Sequence, residues 1–118
     1  MTAGKIGFEE HYAIPETLEE TRSFAGDSGK WDAFSQDILD LGQKRLDYMD
    51  QAGIGLAVLS LNSPGVQGMP DPARAMSVAK RANDHVAEAV ARHPDRYAAF
   101  AALPMHDPDA AAAELTRC

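Results

Sequence analysis

Short apolar runs that alternate with helical stripes constrain this chain more than any other feature. Lys5 to His11, Leu56-Ala-Val-Leu-Ser-Leu61 and Tyr97-Ala-Ala-Phe-Ala-Ala-Leu103 each read as a strand, the second and third bounded by turn signals. Between them, Leu39, Leu46 and Met49 recur at helical spacing, and Gly53 supplies a stop just after Ala52. Asp71-Pro72 offers an N-cap and a first-turn proline, after which Met76, Ala79, Ala82, Val86 and Val90 form one stripe until His93-Pro94 ends it. Asp107-Pro108 opens a last helix in the same way. The predicted order is strand, long loop, helix, strand, loop, helix, strand, helix. Apolar strands alternating with amphipathic helices imply a parallel sheet covered by helices, an α/β fold.

Three βα units do not close a barrel, which typically needs eight strands and about 250 residues. A three-stranded parallel sheet would also leave two long edges open. Glu114-Leu-Thr-Arg-Cys118 lies inside an amphipathic helix with no strand after it. The expectation is therefore that these 118 residues are the first part of a longer protein or a shortened form of one. A hydrophobic content of 45% is ordinary for a globular protein. A formal charge of −7 argues against a nucleic-acid partner, since phosphate binding calls for clustered Lys and Arg. No apolar run has the length of a signal peptide or a membrane span, and the one cysteine, Cys118, can form no internal disulfide, so a cytoplasmic location is expected.

The chemistry concentrates in Phe8-Glu9-Glu10-His11, at the end of the first strand. Alternate residues of a strand share a face, so Glu9 and His11 point together while Glu10 points the other way. A carboxylate beside an imidazole suits Zn²⁺ or Mn²⁺. The bland alternative is a pair of solvated polar residues at a strand end, and the Glu-x-His spacing alone does not decide between the two. His85 and His93, on the long helix, and His106, at a turn, read as surface or cap histidines.

Longer stretches then carry a resemblance. Phe8-Glu-Glu-His-Tyr-Ala-Ile-Pro-Glu-Thr-Leu18, Arg45-Leu-Asp-Tyr-Met-Asp-Gln-Ala-Gly-Ile54, Leu59-Ser-Leu-Asn-Ser-Pro-Gly-Val-Gln67, Arg81-Ala-Asn-Asp84 and His93-Pro-Asp-Arg-Tyr-Ala-Ala-Phe-Ala-Ala-Leu-Pro104 are, in this order, similar to the N-terminal part of the γ-resorcylate (2,6-dihydroxybenzoate) decarboxylases of the metal-dependent amidohydrolase superfamily. The resemblance implies that residues 1–118 are the first three βα units of a single (β/α)₈ TIM-barrel domain. It implies a homo-oligomeric carboxy-lyase that removes carboxylate from a hydroxybenzoate, a small aromatic carboxylic acid, without oxidation and with a divalent metal, Zn²⁺ or Mn²⁺. Glu9 and His11 match the first two metal ligands. The remaining ligands and the proton donor would come from later strands, so no catalytic residue is assigned within this chain, and the isolated chain is expected to be inactive.

Two further residues are candidates for substrate contact. The stretch from Tyr12 to Gln36 reads as a long loop, and its Phe24 either borders the substrate ring or, with Trp31 and Phe34, covers the barrel mouth or a subunit contact. Asn62 leaves the second strand at the same mouth, where its amide either meets a substrate hydroxyl or carboxylate or simply forms an Asn-Ser-Pro turn. Two rival functions stay open from sequence: a hydrolase of the same superfamily, whose metal activates water, and an inactive barrel piece acting as an interaction module.

Overall fold

The computed structural model describes residues 4–25 and 29–118, apart from the side chains of Phe24 and Ala25. In chain order the elements are β1 (Lys5–Tyr12), α1 (Pro15–Ala25), α2 (Trp31–Leu39), α3 (Gln43–Ala52), β2 (Ile54–Leu61), a 3₁₀ turn (Gly65–Gly68), α4 (Pro72–Arg92), β3 (Tyr97–Ala99) and α5 (Pro108–Arg117). The three strands form one parallel sheet in the order β1-β2-β3.

Local signals account for most boundaries. The Asp71 carboxylate accepts the Ala73 N–H at 3.0 Å with Pro72 in the first turn of α4, and Asp107 accepts the Ala110 N–H at 3.1 Å at the start of α5. Gly53 takes φ 69°, the left-handed conformation that ends α3 and lets the chain turn directly into β2.

The sequence expectation fails in three places. The one helix read across Leu39, Leu46 and Met49 is two, because Asp40 turns extended after Leu39 and its carboxylate accepts the Gly42 N–H at 2.6 Å before α3 begins. The stretch from Tyr12 to Gln36 is not a loop: it holds α1 and the first part of α2. Helix α1 gives no clear apolar stripe because its inward residues, the buried Thr17 and the half-buried Thr21, are polar and are held by hydrogen bonds. The third strand, expected to run from Tyr97 to Leu103, ends at Ala99. Its last ladder bond is Phe100 N–H to Leu59 O at 2.9 Å. Beyond it the Asn83 side chain captures the backbone of Ala102, accepting its N–H at 2.7 Å and donating to its carbonyl at 2.9 Å. Those groups are thereby withdrawn from any ladder.

The core lies between the sheet and the helices. Ala57, Leu59 and Tyr97 from the strands meet Ala75, Val78, Ala79, Ala82, Val86 and Ala89 of α4, all at most 3% exposed. The stripe is mostly alanine, so the long helix approaches the sheet closely. Tyr12 is fully buried at the end of β1 and donates its hydroxyl to Ala82 O at 3.2 Å; burial pushes its pKa up. The opposite sheet face carries Ile6, Phe8 and Phe100, respectively 61%, 70% and 50% exposed, with the Phe8 and Phe100 rings edge to face at 5.9 Å. Among the described residues nothing covers this face, and the molecule is 18 Å deep along its shortest axis, the depth of one sheet and one helix layer.

The ladder between β1 and β2 shifts register twice: β2 carries an extra residue where Lys5 and Ile6 pair with Ile54 and Leu56, and β1 carries one between Gly7 and Glu10. Gly7 pairs with Ala57 and Glu10 with Leu59, so three steps along β1 match two along β2. Because Ala57 and Leu59 face the helices, Gly7 and Glu10 do too, and a Cβ at Gly7 would collide with the Glu10 carboxylate. Phe8 and Glu9 form the bulge between them. Uninterrupted alternation from Ile6 and Phe8 on the bare face would have sent Glu9 and His11 to the helix side; the bulge returns them to the bare face.

Candidate metal centre

At the carboxyl end of β1, Glu9 Oε1 stands 3.7 Å from His11 Nε2. Both side chains are open to solvent, His11 at 44% and Glu9 at 81% exposure. They border a cleft of about 350 Å³ whose other walls include Ser60 and Asn62 at the end of β2, Gln67 of the 3₁₀ turn, and Phe100 and Leu103 after β3. Every wall comes from a segment leaving the carboxyl end of a strand, where ligands bind in parallel α/β sheets.

Two contacts hold His11. Register places Ser60 beside it, and the Ser60 hydroxyl lies 3.3 Å from the ring Nδ1. From behind, Arg45 of α3 donates to the His11 carbonyl oxygen at 2.8 Å and to Asp37 O at 3.4 Å. Burial lowers the pKa of the Arg45 guanidinium, opposed by Tyr97, Glu10, Asp40 and Asp37 around it. Glu10 is directed into a separate hollow of about 390 Å³ on the helix side, lined also by Phe34, Lys44 and Tyr48. There Lys44 already pairs with Asp37.

The donor set fits a divalent ion in part. Ligand bonds to such ions are about 2.0–2.2 Å, so a Glu9 oxygen and a His11 nitrogen 3.7 Å apart are within reach of one ion. Among the described residues no three His, Cys, Asp or Glu side chains gather at one point, so the pair is half of a typical shell. His85 lies against Tyr12 with ring centroids 6.4 Å apart, His93 caps α4 and stacks edge-on with Tyr97 at 5.8 Å, and His106 is exposed.

Asn62 borders the cleft but is 2% exposed and its amide is engaged elsewhere. Its Nδ2 donates to Thr17 O at 3.1 Å and to Thr21 Oγ1, while its Oδ1 accepts the Thr17 hydroxyl at 2.7 Å. It thus ties the end of β2 to α1. The Phe24 side chain lies outside the described residues. Sequence reasoning passed over Ser60, Arg45 and Phe100. Ser60 is the single hydroxyl in the apolar run of β2, but its neighbour is set by strand register, which no local pattern reveals.

Known proteins resemble this chain along most of its length. The model of the family described as "Amidohydrolase" matches residues 28–118. Over 116 residues, 98% of this chain and 35% of the relative, the sequence is 52% identical to a γ-resorcylate decarboxylase of Rhizobium radiobacter. The fold superposes with a TM-score of 0.92 on a 2,6-dihydroxybenzoate decarboxylase solved with 2,6-dihydroxybenzoate, at 50% identity over 98% of this chain and 35% of that one. A TM-score of 0.92 is also found for the dihydroxybenzoic acid decarboxylase of Polaromonas sp. JS666, solved with manganese and the inhibitor 2-nitroresorcinol, at 48% identity over 98% of this chain and 34% of that one. The chain thus spans about a third of the length of the proteins it matches. With a family model covering most of its residues, the chain belongs to the amidohydrolase family.

Proposed function

We propose that this chain is the metal-binding first part of a carboxy-lyase that removes CO₂ non-oxidatively from a hydroxybenzoate such as 2,6-dihydroxybenzoate. The observation that carries the reading is the Glu9–His11 pair, 3.7 Å apart at the strand end, in a chain half identical along 98% of its length to decarboxylases of this type. On this reading residues 1–118 are the first three βα units of a (β/α)₈ barrel. The bare apolar sheet face with Ile6, Phe8 and Phe100 supports it, because that face is where the other strands' inward side chains would pack.

Glu9 and His11 would hold one divalent ion, Mn²⁺ or Zn²⁺. When bound, that ion neutralises charge on the substrate carboxylate and adjoining phenolic oxygen and fixes the ring in one pose. Phe100, on the cleft wall, offers an apolar surface for the ring. Phe24 is proposed as a second ring neighbour, and Asn62 as the anchor that keeps the β2 end of the cleft in place. Arg45, through the His11 carbonyl, fixes the height of the imidazole. The group that protonates the ring carbon bearing the carboxylate lies on none of these elements, so the 118 residues alone should bind metal weakly, turn nothing over and associate through the bare sheet face.

The test is CO₂ release from 2,6-dihydroxybenzoate and related hydroxybenzoates by the whole protein that carries this chain. Release that stops on chelation and returns with Mn²⁺ or Zn²⁺ supports the reading. Hydrolysis of amides or lactones with no CO₂ from any of these acids would replace it with a hydrolase.

A further inference from the structure

The two nitrogens of His11 face different partners, and only one of them faces Glu9. Nε2 lies toward the Glu9 carboxylate at 3.7 Å, while Nδ1 lies 3.3 Å from Ser60 Oγ. An imidazole that gives a lone pair to a metal at Nε2 must carry its proton at Nδ1, and that proton needs an acceptor. Among the described residues, Ser60 Oγ is the acceptor within reach. Metal-bound histidines usually donate their second N–H to a fixed partner, which selects the tautomer and locks the ring plane.

We infer that Ser60 is a positioning residue for the metal centre: its hydroxyl accepts the Nδ1–H of His11, and so presents Nε2 as the ligand beside Glu9. The inference rests on the metal reading above and adds to it a requirement on a residue that binds no metal itself. The backbone supports the assignment. Arg45 pins the His11 carbonyl from behind at 2.8 Å, and His11 and Ser60 are direct register partners in the parallel ladder. The backbone at the strand end is therefore held from two sides, which leaves the side-chain torsions of His11 for Ser60 to restrain. Bulge and register act together here, because the same extra residue that turns His11 to the bare face brings it opposite Ser60 rather than a core residue.

The test compares Ser60→Thr with Ser60→Val in the 118-residue chain. The two side chains have nearly the same shape, both suit a strand, and they differ in the hydroxyl. Zn²⁺, chosen as a diamagnetic probe, is titrated into the millimolar range at constant pH while the ¹⁵N and ring-proton resonances of His11 are followed. The Thr chain should bind as the parent does and show the Nδ1-protonated ring when loaded. The Val chain should lose about 10- to 100-fold in affinity, the usual effect of removing a ligand's hydrogen-bond partner, with unchanged circular dichroism. Ser60→Ala gives the same comparison should Val disturb the strand. A Val or Ala chain that binds Zn²⁺ within about threefold of the Thr chain overturns this inference alone. A His11→Ala chain that binds as tightly as the parent overturns the metal reading and this inference with it.

Discussion

Replacing Asn83 with Ala removes three hydrogen bonds at one stroke. The side chain accepts the Ala102 N–H at 2.7 Å, donates to the Ala102 carbonyl at 2.9 Å and donates to Glu114 Oε1 at 3.0 Å. Asn83 is 4% exposed and Glu114 2%, so water replaces these partners poorly. Neutral bonds of this kind contribute about 1 kcal/mol each and one to a carboxylate about 1.5–3, which sums to roughly 4 kcal/mol. Arg117 keeps its fork on Glu114, at 2.8 and 2.7 Å, so the carboxylate is not orphaned and the loss should settle nearer 3 kcal/mol. At a urea dependence of about 2 kcal/mol per molar, the unfolding midpoint should fall by roughly 1.5 M. The assay is urea unfolding of variant and parent at equal protein concentration, with hydrogen exchange read at the Ala102 amide. That amide should exchange at least 100-fold faster in the variant, because its acceptor is gone. A midpoint shift below about 0.3 M, or an Ala102 amide as protected as before, would show that the stretch after β3 is held by something other than Asn83.

Three further outcomes follow from the same structure. Arg117, with a contribution from Asn83, holds the Glu114 carboxyl down to about 2, below its ordinary range. A depressed folded-state pKa adds stability above the unfolded value and loses it as the pH falls, so the stability advantage of the parent over Glu114→Gln should be about 3 kcal/mol near neutrality and shrink between about pH 4.5 and 2, read by denaturant unfolding across that range. His11→Ala should remove most bound Mn²⁺ or Zn²⁺ by elemental analysis of the whole protein; near-stoichiometric metal would contradict the ligand assignment. Gly53→Ala should cost about 1 kcal/mol in thermal unfolding, from the backbone alone, since φ is 69° and an added Cβ would meet no atom within 4 Å.

What was legible in the sequence is what short stretches decide for themselves. Asp71-Pro72, Asp107-Pro108 and Gly53 specify helix ends through hydrogen bonds and backbone angles that span a few residues, and those three ends agree with the sequence. The paired direction of Glu9 and His11, and the opposite direction of Glu10, were legible for the same reason. Helix α1 was not, because its inward face holds Thr17 and Thr21 bonded to Asn62, a partner 45 residues from Thr17. Nor was the early end of β3, which depends on an asparagine on a helix competing for the backbone of Ala102. The companions of His11 were hidden in the same way: Ser60 and Arg45 reach it only once strand register and helix position are set.

The bulge at Phe8 and Glu9 makes β1 a strand with two phases. Counted from its start, the bare face takes Ile6 and Phe8; counted from its end, it takes Glu9 and His11, and the two counts differ by one. Deleting Phe8 would keep the letters of the Glu-x-His motif and reverse its parity against the start of the strand. Either the ligands would turn toward Ala57 and Leu59, or every residue upstream would change sides and put Ile6 into the helix layer. The spacing upstream of the motif therefore constrains the site as much as its side chains do, and an alignment that places a gap there pairs residues from opposite faces of the sheet.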